Sequence, residues 1–111
     1  MTAATKTSAC VVLTTAASEA DANAIADAII EAQLAACVSL FPMKSVYTWQ
    51  GKVERESEWQ LIIKTQRHCF EALREKIQAV HSYDTPELIA LPIVAGSPDY
   101  LAWLGAQVMP E

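Results

Sequence analysis

Three cysteines, Cys10, Cys37 and Cys69, and two histidines, His68 and His81, are the side chains of this 111-residue chain best suited to a soft or borderline metal ion. The thiols are far apart, odd in number and never spaced as C-x-x-C, so they make neither a disulfide framework nor a metal knuckle. They read as reduced thiols within a core. His68 stands at the start of a helical segment, off its apolar stripe. His81 ends that segment, where an imidazole either faces the negative end of the helix dipole or offers one nitrogen to a divalent cation.

A second group is richer. Tyr83, Asp84, Thr85 and Glu87 cluster in sequence, Lys64 ends an apolar run, and Tyr47, Trp49 and Lys52 flank Gln50-Gly51. Aromatic faces beside charges of both signs suit a small polar ligand or anion. The same Lys64 and Glu87 would equally serve as an ion pair that registers two subunits. No Ser–His–Asp or Cys–His arrangement can be traced, so catalysis is not expected. With only three glycines there is no glycine-rich phosphate cradle.

The formal net charge is −5 without any Lys/Arg cluster, which argues against nucleic acid and anionic membrane as partners. A hydrophobic content of 52% supports one real core at this length. The longest apolar run, residues 88–96, is far too short to span a bilayer. Residues 1–8 are polar and low in complexity, without the apolar centre of a signal peptide. They are expected to form a disordered tail of a cytoplasmic protein, with 9–111 as a single domain.

The elements that must position these groups follow from periodicity. Ala9 to Thr15 is a β-branched run read as a buried strand. Ser18-Glu19-Ala20-Asp21 opens a helix with a capping hydroxyl and first-turn acids, and Ile25, Ile29, Ala32 and Ala36 give its apolar stripe. Two strands follow, with Pro42 marking a bulge or an edge. Leu61-Ile62-Ile63 is apolar on both faces, as in a central strand. Glu54, Glu56 and Glu58 alternate onto one face, read as a solvated row that discourages edge pairing. Thr65 is the expected N-cap of a second helix carrying Phe70, Leu73, Ile77 and Val80. Glu87–Leu91 is a last strand, and Ser97-Pro98 starts a short final helix. The order predicts an α+β, ferredoxin-like βαββαβ sandwich with both main helices on one face and an extra C-terminal helix.

The central hairpin carries a further expectation. Gly51 supplies the positive φ of a two-residue turn. Arms of about ten residues span about 33 Å at ~3.3 Å each. A domain of this size has a radius of gyration of only ~13 Å. The hairpin should therefore project, and Tyr47, Trp49, Val53 and Trp59 leave too much apolar surface near its tip to stay wet. Another subunit covering these residues is the simplest resolution.

The chain also resembles the CutA family of divalent-cation tolerance proteins. The matching segments are Val11-Val12-Leu13-Thr14-Thr15, Leu34-Ala35-Ala36-Cys37-Val38, Tyr47-Thr48-Trp49-Gln50-Gly51-Lys52, Leu61-Ile62-Ile63-Lys64-Thr65, Tyr83-Asp84-Thr85-Pro86-Glu87-Leu88 and Tyr100-Leu101-Ala102-Trp103-Leu104. The resemblance implies a ferredoxin-like protomer in a tight homotrimer and a cytoplasmic role in tolerance to copper and other divalent metals. It also implies a ligand-binding cleft between subunits that gathers Trp49, Lys64, Tyr83 and Glu87. Thr14 stands where the family's copper pattern has a cysteine, and Val80-His81 where it has a histidine pair. Cu(II) or another divalent cation is thus expected to bind weakly, through His81. A trimeric small-molecule sensor or partner-regulating protein of PII-like architecture is the alternative.

Overall fold

The computed structural model describes residues 7–111, and its elements run β1 (Ala9–Ala16), α1 (Glu19–Glu31), β2 (Cys37–Trp49), β3 (Lys52–Gln66), α2 (Phe70–Val80), β4 (Ile89–Pro92) and α3 (Pro98–Gln107). A 3-10 turn at Arg67–Cys69 leads into α2. The strands form one antiparallel sheet in the order β2-β3-β1-β4, the ferredoxin-like arrangement with the extra helix at its end. Ile25 and Ile29 of α1 and Leu73 and Ile77 of α2 share one core with Val12, Leu61 and Ile63, so both helices cover the same face.

Local chemistry explains most boundaries. The Ser18 hydroxyl accepts the Asp21 N–H at 3.1 Å and caps α1. The helix then ends earlier than its apolar spacing suggests. Gln33 adopts φ 57°, Leu34 N–H reaches Ile29 O and Gln33 N–H reaches Ile30 O, both at 3.0 Å. That is a Schellman closure made without glycine. Ala36, placed by its spacing on the helical stripe, instead donates its N–H to Lys64 O at 2.8 Å and leads into β2.

Thr65 also departs from expectation. It lies within β3, fully buried, and its hydroxyl donates to Leu34 O at 2.6 Å, so it ties the sheet to the end of α1 and does not cap α2. Pro42 sits in the edge strand opposite Trp59, inside an unbroken register from Cys37↔Lys64 to Trp49↔Lys52. It marks an edge without a bulge, because an edge strand has one side that needs no N–H donor. The expectation of a tail over residues 1–8 falls outside the described residues for 1–6. Ser8 Oγ donates to Gln66 Oε1 at 3.0 Å, Ser8 O accepts from Arg67 N–H, and the Thr7 hydroxyl donates to Ile93 O.

The hairpin is longer than its sequence suggested, with arms of 13 and 15 residues. Gln50 (φ 51°) and Gly51 (φ 79°) are both left-handed, the signature of a type I′ turn that matches strand twist. β1 ends at Ala16, opposite Trp59. Beyond that point seven residues of β3, about 23 Å at ~3.3 Å each, run with β2 alone. The projection stretches the chain to 51 × 31 × 22 Å with a radius of gyration of 15.2 Å.

Candidate functional site

Where the hairpin leaves the body of the sheet, the loop between α2 and β4 crosses beside it. His81 stops α2 by turning extended (φ −79°, ψ 141°). Its Nδ1 accepts the Tyr83 N–H at 3.0 Å, which leaves Nε2 to carry the proton and donate to Thr15 O at 2.7 Å. The rings of His81 and Tyr83 pack with centroids 4.8 Å apart. Tyr83 then reaches back to the hairpin, where its hydroxyl donates to Glu58 Oε2 at 2.9 Å. Two polar contacts thus pin the loop, one to the end of β1 and one to β3, and the Tyr83–His81 bond fixes its own shape.

The result is a concavity of about 810 Å³. One wall comes from the strand alternation of β3, which turns Glu54, Glu56 and Glu58 to the same side. Ser45 and Tyr47 of β2 lie directly opposite Glu56 and Glu54, and Trp49 closes the outer end. Asp84, Thr85 and Glu87 come from the loop, and Thr15 from β1. Among the described residues no Lys or Arg lines it. Burial first, then the hydrogen bond to Glu58 and the negative field of the acidic row, pushes the Tyr83 phenol well above its ordinary value. Desolvation, then a hydrogen bond to Glu56 and the charges of Glu56, Glu58 and Glu54, raise Tyr47 too.

The residues singled out in the sequence separate here. Trp49, Tyr83 and Glu87 meet in the concavity. Lys64 does not join them within the chain, for its ammonium lies 5.6 Å from the Tyr100 ring centroid in a cation–π contact. Among the described residues the only ion pair is Arg74–Glu71 at 2.9 Å, so Lys64 and Glu87 form no intrachain bridge. Tyr47, Trp49 and Val53 stay exposed near the tip, at 38%, 51% and 66%. Trp59, expected with them, packs partly buried against the core of its own chain.

The metal candidates fare differently from the concavity. Both nitrogens of His81 are engaged, so a cation there must displace either Tyr83 N–H or Thr15 O. His68 Nε2 is 2.8 Å from Met109 O. Cys10 and Cys69 are buried, and burial pushes the Cys10 thiol up. Thr14 is fully buried, its hydroxyl without a hydrogen-bond partner. Among the described residues no three His, Cys, Asp or Glu side chains converge as a metal would require. The described residues of the single chain therefore do not fit a resident metal ion.

Sequence reasoning missed the acidic row as part of this site. The alternation of Glu54, Glu56 and Glu58 was visible, and it assigned them correctly to one face. It carried no sign that Tyr83 crosses that face and buries Glu58 to 7% exposure.

Residues 10–107 match the family described as CutA1 divalent ion tolerance protein. The chain is 47% identical over 95 residues to the divalent-cation tolerance protein CutA of Thermus thermophilus, covering 85% of this chain and 92% of that one. It is 52% identical over 81 residues to the chloroplastic CutA protein of Arabidopsis thaliana, covering 72% of this chain and 44% of the longer relative. A solved structure from Archaeoglobus fulgidus, described as a periplasmic divalent cation tolerance protein CutA, superimposes with a TM-score of 0.89. It shares 39% identity and covers 91% of this chain and 99% of its own. Family match, relatives and fold agree: this chain belongs to the CutA1 divalent ion tolerance family.

Proposed function

We propose that the protein is a homotrimer that acts without catalysis in tolerance to divalent metal ions. The observation that carries the assembly is the projecting hairpin, which holds Trp49 and Val53 half to two-thirds exposed far from the chain's own core. The tolerance role rests on the relatives, which are named for it. Free cysteines in the core favour a reducing compartment, and we place the protein in the cytoplasm on that ground. Cu(II) or another divalent cation binds weakly in this reading. His81 supplies one imidazole and has to give up a hydrogen bond to do so. Calorimetric titration of wild type and His81→Ala with Cu(II) tests the metal part. Micromolar or weaker binding, reduced in the variant, is expected, and nanomolar binding would contradict it.

A second reading is favoured by the concavity itself. A volume of about 810 Å³ with aromatic walls and hydrogen-bonding groups suits a small molecule. In this reading the trimer is a PII-like sensor or partner regulator whose ligand sits against Trp49, Tyr83 and Glu87, with Lys64 reaching the cleft from a neighbouring subunit. Ligand-induced stabilisation that disappears in Lys64→Met/Glu87→Gln while the trimer survives supports it. Dissociation of that double variant into monomers makes the pair structural.

A further inference from the structure

His81 ends α2 at a point where two tasks suit an imidazole, and the structure gives it a third. An imidazolium facing the negative end of the helix dipole carries a proton on both ring nitrogens. A metal ligand offers one nitrogen that is bare and free. Here Nδ1 is bare but already accepts the Tyr83 N–H at 3.0 Å, and a backbone amide N–H can only donate. Thr15 O can only accept, so Nε2 carries the ring's proton and donates to it at 2.7 Å. The ring is a neutral bridge between the end of β1 and the backbone of the loop.

One wall of the concavity hangs on that bridge. Residues 81–88 form no helix or strand, and Tyr83, Asp84, Thr85 and Glu87 of this stretch face the concavity. The bond from Ser82 Oγ to Asp21 Oδ2, which also ties the stretch to the body, is long at 3.4 Å. The His81 ring packs on that of Tyr83 with centroids 4.8 Å apart, which aims the phenol at the hairpin. There Glu58 is buried, and a buried carboxylate needs a donor. The Tyr83 hydroxyl supplies one at 2.9 Å. Thr15, His81, Tyr83 and Glu58 thus form one connected series of contacts from β1 through the loop to β3. All of it lies within a single chain, so it does not depend on what another subunit covers.

We infer that His81 is the positioning residue of the concavity: its neutral ring, protonated on Nε2, sets the loop so that the Tyr83 hydroxyl meets the buried Glu58. This goes beyond both functional readings above, and it needs neither a bound cation nor a small molecule.

The first measurement uses the wild-type protein, isotope-labelled at its histidine nitrogens, by NMR at neutral pH. His81 should show a protonated Nε2 and a bare, hydrogen-bonded Nδ1. A proton on Nδ1, alone or together with one on Nε2, overturns the proposal. Amide hydrogen exchange in three variants then isolates the bond to the loop. His81→Asn keeps an acceptor near the place of Nδ1, so the Tyr83 amide should stay protected. His81→Gln carries its amide one bond too far, and His81→Ala has no acceptor. In both, the Tyr83 amide should exchange about tenfold faster or more, while the core-strand amides of Val12 and Ile63 keep their rates. An unchanged Tyr83 rate in His81→Gln and His81→Ala overturns the proposal. So does equal acceleration at Tyr83, Val12 and Ile63 in all three variants, which leaves His81 with general stability alone. A mutant cycle reads the coupling itself. At one fixed protein concentration, Tyr83→Phe should shift the denaturation midpoint about half as much or less in the His81→Ala background as in wild type. Equal shifts would mean that Tyr83 finds Glu58 without His81, and would overturn the proposal.

Discussion

The inner and outer halves of the hairpin are the same two strands under opposite conditions. At the base, β3 lies between β2 and β1 with two helices above, and Leu61, Ile63 and Thr65 are fully buried. Toward the tip, β2 and β3 pair only with each other, and Val46, Trp49 and Val53 are 57%, 51% and 66% exposed. A two-stranded ribbon is marginal in water on its own. The base is completed by its own chain, whereas the outer half keeps aromatic and acidic groups that the chain leaves unmatched. The proposed binding and assembly both use that unfinished half.

Truncation should separate the halves most clearly. Leu61→Ala is expected to lower the unfolding free energy by about 2–5 kcal/mol in chemical denaturation, whatever the protein concentration. Trp49→Ala should act through association, so that its melting temperature falls steeply on dilution. A Trp49→Ala loss independent of concentration would break the contrast between the two halves.

The junction between the halves comes next in size. Tyr83→Phe removes the donor to the buried Glu58 and should cost about 1.5–3 kcal/mol, as for a hydrogen bond to a charged group. The fold holds the Tyr83 phenol protonated above its ordinary pKa of ~10. A group raised in the fold adds stability that is fully present below the unfolded value and lost as pH climbs through the folded one. Wild type should therefore lose stability more steeply than Tyr83→Phe above about pH 10. Parallel curves would remove the Glu58 contact from the account.

The smallest effect belongs to the base. Thr14→Val replaces a fully buried hydroxyl that has no partner by a methyl of similar shape, and should gain about 1 kcal/mol. A loss would mean that the hydroxyl has a partner in the assembled protein.

The same contrast explains what could be read beforehand. Ser18, the Gln50-Gly51 turn and the Leu61–Ile63 run are local signals with local consequences, and each gave its element directly. Thr65 misled because a hydroxyl serves a cap or a buried cross-link equally well, and only packing decides which. The end of α1 was hidden because Gln33, without glycine's freedom, still adopts the left-handed closure. In the site, Trp49, Tyr83 and Glu87 were legible by residue type. Lys64 was grouped with them by chemistry, yet it stands six residues beyond Glu58 on the same strand, about 20 Å away at ~3.3 Å per residue. From the sequence Glu58 reads as a wet surface acid, because alternation reveals a face and not what lies across it.

Sedimentation equilibrium of the wild-type protein at micromolar concentration addresses the central claim, that the outer hairpin is completed by other copies of the chain. A single species of three times the 12.1 kDa chain mass is the expected result. A monomer with its hairpin still folded would contradict it.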